Sequence, residues 1–283
     1  MSSGTPLHHL VWHTTTVDGR SATYGVAGTG PPLVFLHGWA LTHHTYRRAL
    51  NRLVRLGMRV YAPALPGFGG TAELPRAELS LAGYAHWVDR FLDTVGVDEP
   101  ATLVGHSFGG GVAIQTAHDR PARVARLILV NSIGGAAWSQ AGGVVRTMRE
   151  RPLWDWGLHL QTDVLPARQL TRLVPVIVAD AVPNLLRSPR AIWRVAGLAR
   201  NADLSAELEQ LKRRRLPVVI LWGQRDTVVP RASIESLRAA LGDPELITVP
   251  GSHSWLIADP DGFGEVMTNV IGAAPADVPP MSA

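Results

Sequence analysis

Apolar positions along the chain fall into two spacings. Six short stretches each hold a compact apolar run and lead into glycine, proline or polar residues: PPLVFLHG (31–38), MRVYAPAL (58–65), ATLVGHS (101–107), VARLILVNS (124–132), LPVVILWGQRD (216–226) and ELITVPGSH (245–253). They read as β-strands, the first two as strands buried on both faces. Between them, LSLAGYAHWVDRFLDTVG (79–96) has apolar residues spaced near 3.6 and a terminal glycine, so it reads as a helix. GGVAIQTAHD (110–119), ASIESLRAALG (232–242) and the segment from 253 to about 272 also read as helices. Near the start, LVWHTTTV (10–17) and ATYGVA (22–27) flank DGRS, and Asp18-Gly19 predicts a hairpin joining two antiparallel strands.

Strands alternating with helices predict an α/β fold, a mainly parallel central sheet with helices on both faces. The alternation stops between about 134 and 205, where the chain has helical periodicity, several prolines and no clear strand. This predicts a core formed by 1–133 and 206–272, an inserted helical lid over 134–205, and a disordered tail over 273–283.

The stretch VGHSFGGG (104–111) places Ser107 where a predicted strand gives way to a predicted helix. A serine hydroxyl is a weak nucleophile that needs an adjacent base and an exposed setting. A sharp strand-to-helix turn exposes the side chain but crowds the backbone, so the residues two positions away on either side must be very small. Gly105 and Gly109 meet that need and give the pattern G-x-S-x-G. Three other segments end at the carboxyl edge of predicted strands, where open α/β sheets bind ligands. FLHGWA (35–40) carries His37 and Trp39, LWGQRDTVVP (221–230) carries Asp226, and VPGSHSW (249–255) carries His253. The rival acid position, after LILV, holds Asn131, which supplies no charge.

With these four motifs in the order Ser, Asp, His, the chain resembles α/β-hydrolase-fold serine hydrolases over about residues 10–272. The resemblance implies that Ser107 attacks a carbonyl, His253 is the base, and Asp226 orients and stabilises the imidazole. The backbone amides of Trp39 and Phe108 are then the expected oxyanion hole. His37 is expected to brace that loop or line the pocket, and His106 to line the pocket or pack beside the turn. One departure is visible: relatives commonly carry D-x-P-G-x-G-x-S after the fourth strand, and here ALPGFGGT has Ala64 in place of the aspartate. The implied activity is hydrolysis of a small, largely apolar carboxylic ester through an acyl-enzyme. C–C bond hydrolysis of vinylogous diketo acids, cofactor-free perhydrolase or haloperoxidase chemistry, and a non-enzymatic small-molecule receptor share the same plan. Relatives that open epoxides or displace halide carry aspartate at the elbow, so serine argues against those chemistries.

Composition narrows the picture further. Cysteine is absent, which excludes disulfides, thiolate catalysis and cysteine metal sites. No metal-ligand spacing occurs, the adjacent pairs His8-His9 and His43-His44 point apart on regular elements, and GTGPPL lacks the dinucleotide pattern; neither metal nor cofactor is expected. Net charge is +4 with pI near 10.1, but the one basic run, KRRR (212–215), reads as a solvated helix end, so no nucleic-acid partner is expected. No secretory signal and no span of about 20 apolar residues is visible, which suggests a cytoplasmic protein without membrane insertion. Residues 134–203 hold Trp138, Trp154, Trp156 and Trp193, with nine arginines against five acids. Two readings follow: these tryptophans pack a helical lid on the sheet domain while the arginines are solvated, or they line an apolar pocket under the lid with a basic rim.

Overall fold

In the computed structural model, which describes residues 9–135, 182, 184 and 189–272, the predicted hairpin forms. Strand β1 (Val11–Val17) pairs antiparallel with β2 (Arg20–Ala27), and Asp18 and Gly19 take φ of 51° and 71°. Positive φ at both central residues matches the right-handed twist of the flanking strands. Six more strands complete the sheet: β3 (Pro32–Leu36), β4 (Arg59–Pro63), β5 (Ala101–His106), β6 (Val124–Val130), β7 (Val218–Gly223) and β8 (Glu245–Val249). Their order is β1-β2-β4-β3-β5-β6-β7-β8, with β2 antiparallel to β4 and every pair from β4 to β8 parallel. The chain moves outward from β3 to β4, then crosses back to β5 on the other side of β3. That reversal opens a crevice at the carboxyl ends of β3 and β5, the place where such sheets bind ligands.

Alternate residues of the central strands face opposite layers. Leu36, Leu103, Leu127, Leu129 and Ile220 pack on one side with helices α2 (Leu81–Thr94) and α3 (Phe108–Asp119). Phe35, Val104, Ile128, Val130 and Leu221 pack on the other with α1 (Arg47–Arg55). Further along the chain come α4 (Pro189–Arg200), α5 (Ser205–Arg213), α6 (Arg231–Ala240), α7 (Trp255–Ala258) and α8 (Pro260–Gly272). Leu208, Leu211, Ile234 and Leu237 bring α5 and α6 to the first layer, and Trp255, Leu256, Phe263 and Met267 bring α7 and α8 to the second. Period-two burial on both sheet faces is why the strand sequences are almost wholly apolar.

Two features differ from the sequence expectation. Helix α1 has no counterpart among the predicted elements, because four arginines and Asn51 dilute a buried stripe of Ala49, Leu50, Leu53 and Val54. The last strands are also shorter than predicted: β7 stops at Gly223 and β8 at Val249, leaving Asp226 and His253 on the loops beyond. The chain departs from the sheet after β6 and comes back to nearly the same point. Gly134 and Asp203 form an isolated parallel bridge, and Leu204 N–H donates to the Gly134 carbonyl at 3.2 Å. Within that excursion α4 is helical, while 273–283 lies outside the described residues.

The turn between β5 and α3 consists of Ser107 alone, at φ 52° and ψ −117°. Its N–H donates to the Val130 carbonyl at 3.0 Å, and its carbonyl accepts from Gly110 N–H at 2.9 Å. A non-glycine residue in this region costs about 1–3 kcal/mol, so the surroundings must enforce it. They do so by close approach. A Cβ on Gly105 would lie 2.5 Å from the Gly109 carbonyl oxygen, and one on Gly109 would lie 2.1 Å from the Leu36 carbonyl oxygen. Both obstacles are backbone and cannot yield. Gly109→Ala is expected to cost about 3 kcal/mol or more, seen as a fall in Tm of roughly 6–12 °C in thermal unfolding. Gly197→Ala in α4, where an added Cβ meets no atom within 4 Å, is the control and should leave Tm unchanged or slightly raised.

Candidate active site

Four loops converge at the crevice: 37–40 after β3, Ser107 after β5, 224–229 after β7 and 250–254 after β8. They surround a narrow open cavity lined by both Ser107 and His253. Leu41, Val228, Trp39 and Ala199 of α4 contribute its apolar wall, and His106 and Ser254 complete the described lining with Gly38.

Asp226 is enclosed by donors. Its Oδ1 accepts the N–H groups of Val228 and Val229, each at 2.8 Å, so the TVV turn after β7 wraps around the carboxylate. Its Oδ2 accepts from His253 Nδ1 at 2.9 Å and from the Asn131 side-chain amide. Four N–H groups fill the acceptor sites of an ionised carboxylate. Because the carboxylate accepts, Nδ1 of His253 carries the hydrogen, and Nε2 of the neutral ring keeps the lone pair. That nitrogen is the proton acceptor the arrangement offers in a cavity shared with the Ser107 hydroxyl.

Asn131 cannot be turned the other way. Its Oδ1 accepts from Trp255 Nε1 at 3.0 Å and from Gly223 N–H at 3.3 Å, both unambiguous donors, which commits Nδ2 to Asp226. The position that lacks a charge in the sequence is thus occupied by the clamp of the charge next door. The sequence pattern presents Asn131 only as a rival acid position. The signal it does carry is a buried amide at a strand end beside the acid-bearing strand.

On the opposite wall, His37 corrects one expectation. It is fully buried and does not line the cavity. Nδ1 donates to the Gly38 carbonyl at 2.8 Å and Nε2 accepts Leu65 N–H at 2.8 Å, so the ring joins the 37–40 loop to the loop after β4. His106 does line the cavity, with Nδ1 on the Tyr46 hydroxyl and Nε2 on the His253 carbonyl. Burial, then the neighbouring His253, pushes its pKa down to about 3. The Phe108 side chain is buried edge-on against Tyr84, with centroids 5.2 Å apart, and so turns away from the cavity.

The excursion after β6 reaches into this wall at two points. Trp39 Nε1 donates to the Ile192 carbonyl at 2.8 Å. Asn184 donates to the Ala40 carbonyl at 3.3 Å and accepts from Gly69 N–H at 3.0 Å, tying together two loops of the core. Ala40 sits at φ 62°, left-handed backbone that alanine adopts only under constraint. Trp193 departs from the pocket expectation: it is 47% exposed on α4 and does not line the cavity, while Ile192 and Ala199 turn inward. Trp138, Trp154 and Trp156 lie outside the described residues. His43 and His44 do not point apart, because they lie in a turn before α1, with ring centroids 4.3 Å apart and both against Trp12. Tyr46 and Asn184 are site neighbours that no local pattern announces, since each meets its partner across a large sequence separation.

Known proteins share this fold. A family model described as alpha/beta hydrolase fold matches residues 31–260. An uncharacterised protein of Mycobacterium tuberculosis is 31% identical over 273 residues, covering 89% of this chain and 78% of that protein. The pimeloyl-[acyl-carrier protein] methyl ester esterase of Aromatoleum aromaticum is 30% identical over 265 residues, covering 85% of this chain and 98% of its own. Among solved structures, the esterase RhEst1 from Rhodococcus shares the fold at a TM-score of 0.71 and 24% identity, over 94% of this chain and 99% of that one.

Asn131→Asp keeps the shape and both acceptor contacts but turns a donor into a second carboxylate against Asp226. Like charges in contact raise the pKa of one carboxyl of that pair above its unfolded value. The folded variant then binds more protons than its unfolded chain, so its stability falls as pH rises through that raised value. Thermal melts should place the variant well below wild type at pH 8, by about 1–3 kcal/mol, with the gap narrowing at pH 5. A gap that is constant with pH would count against the clamp.

Proposed function

The chain belongs to the α/β-hydrolase-fold family, and from that premise we propose a serine hydrolase that cleaves a carboxylic ester of a small, largely apolar substrate. The observation that carries this reading is the buried hydrogen bond between His253 and Asp226, at 2.9 Å, in a cavity shared with Ser107 on its strained turn. Ser107 Oγ attacks the ester carbonyl as His253 Nε2 takes its proton, and the Asp226 carboxylate stabilises the imidazolium that forms. The amides of Trp39 and Phe108 receive the developing oxyanion, each such donor contributing about 2.7–4 kcal/mol. The imidazolium then protonates the departing alkoxide. Water, deprotonated by His253, releases the acyl group and regenerates the serine.

Substrate class follows from the walls. Leu41, Trp39, Val228 and Ala199 are apolar, and the Trp39 indole is already bonded to Ile192. Among the described lining residues no carboxylate, ammonium or guanidinium is present. A neutral acyl group suits such a surface, because a charged one would be desolvated without a partner. The esterase named among the relatives supports ester chemistry. The excursion over 134–205 serves in this reading as the lid, fastened through Trp39 and Asn184. Among the described residues no helix is long and apolar enough to cross a membrane; action in the cytoplasm on a small molecule, without cofactor or metal, completes the proposal.

A fluorophosphonate probe should label the wild-type protein at Ser107 and leave Ser107→Ala unlabelled. Turnover of p-nitrophenyl esters should favour short neutral acyl chains over carboxylate-bearing ones, with kcat reduced at least about 10³-fold in Ser107→Ala. A wild-type protein that neither labels nor hydrolyses any ester in the series would defeat the enzymatic reading in favour of a receptor.

A further inference from the structure

His106 is a buried titratable side chain that the proposed chemistry does not use, yet it touches both halves of the site. It is the last residue of β5, directly before Ser107, and its ring centroid lies 4.9 Å from that of His253. Both ring nitrogens are engaged, and their partners fix the proton. The carbonyl oxygen of His253 only accepts, so Nε2, at 2.9 Å, carries the hydrogen. Nδ1 is then an acceptor, and the Tyr46 hydroxyl donates to it at 2.8 Å. The same hydroxyl oxygen accepts Gly38 N–H at 3.2 Å. One directed chain therefore runs from Gly38 N–H through Tyr46 O–H and the His106 ring to the His253 carbonyl. All four residues are buried, where such hydrogen bonds polarise one another and leave little room for alternatives. The packing is equally tight: a Cβ on Gly38 would lie 2.9 Å from His106 Nδ1 and 3.2 Å from Tyr46 Oη.

We propose that His106 is a positioning residue: as a neutral imidazole protonated on Nε2, it holds the main chain of the catalytic base in register with the loop that supplies the oxyanion-binding amide. Gly38 immediately precedes Trp39, so anchoring its N–H to Tyr46 limits how the following peptide plane can tilt. At the other end, the carbonyl held by His106 belongs to the base itself. The separation between proton acceptor and oxyanion donor is thereby set by one rigid ring and one phenol rather than by two independent loops. A ring protonated on both nitrogens would present N–H to the Tyr46 oxygen, which already accepts from Gly38, and would lose the hydroxyl as donor. The burial that suppresses the charged form keeps the link intact.

The inference rests on the serine-hydrolase reading, and its test separates the two. Tyr46→Phe removes the shared hydroxyl while keeping the ring. Steady-state hydrolysis of p-nitrophenyl butyrate by the full chain should show kcat lowered about tenfold, with KM within about twofold of wild type. Fluorophosphonate labelling should slow in proportion. An unchanged kcat, or a change confined to KM, overturns the proposal. His106→Gln keeps an amide donor near the Nε2 position, so its kcat should exceed that of His106→Ala by about fivefold or more. Equal kcat in those two variants also overturns the proposal, and this pair decides the matter if Tyr46→Phe does not fold. Nitrogen-15 NMR of the wild-type histidine rings should show His106 neutral and protonated on Nε2 from pH 6 to 8; an imidazolium or an Nδ1-protonated ring overturns it. A wild-type protein inert to ester and probe alike removes the premise, whereas an active wild type with an unaffected Tyr46→Phe removes only this inference.

Discussion

The Asp226 carboxylate is where the second half of the sheet is tied together. Its donors come from three separate strand ends: Asn131 after β6, Val228 and Val229 after β7, and His253 after β8. A buried anion of this kind is tolerated only when its acceptor sites are filled, since each unfilled one adds a desolvation cost of about 1–3 kcal/mol. Satisfying the charge therefore dictates the path of three loops at once. The position of the histidine is a by-product of that requirement as much as a cause of it.

The other half of the crevice is organised by clearance rather than charge. Gly109 passes so near the Leu36 carbonyl that β3 and the first turn of α3 have no freedom to slide. Ser107 is held in a costly conformation by that contact and by the Val130 and Gly110 hydrogen bonds. His37 and His106, one on each central strand end, carry the same rigidity outward, to the loop after β4 and to the histidine loop respectively. Two residues that look chemically provocative in the sequence are in this sense spacers.

Much of this is legible in the amino-acid order alone. Compact apolar runs mark β3 to β8, the Asp18-Gly19 turn marks the β1–β2 hairpin, and the glycines at 105 and 109 disclose a backbone crossing too close for a side chain. The positions of Ser107, Asp226 and His253 at strand ends follow from the same pattern. What escapes is information spread across the chain. The stripe of α1 is hidden because arginines interrupt it. Tyr46 meets His106 at a separation of 60 residues, and Asn184 meets Gly69 at 115. Asn131 stands out for the charge it lacks, whereas its contribution is a directed amide. Trp193 shows the reverse error, since composition suggests a lining role and the helix phase turns it outward.

The order of the site along the polypeptide has a consequence for biosynthesis. Domains fold as the ribosome delivers them, amino end first, and Ser107 and the loop beside it emerge on the central strands well ahead of β7 and β8. The turn that exposes the hydroxyl can take shape while Asp226 and His253 are still to be translated, so a nascent chain carries an inert alcohol where the finished one has the full set. On the serine-hydrolase reading proposed above, reactivity is in that way deferred to the addition of the outermost strand, and a chain cut short before it would be silent rather than indiscriminately reactive.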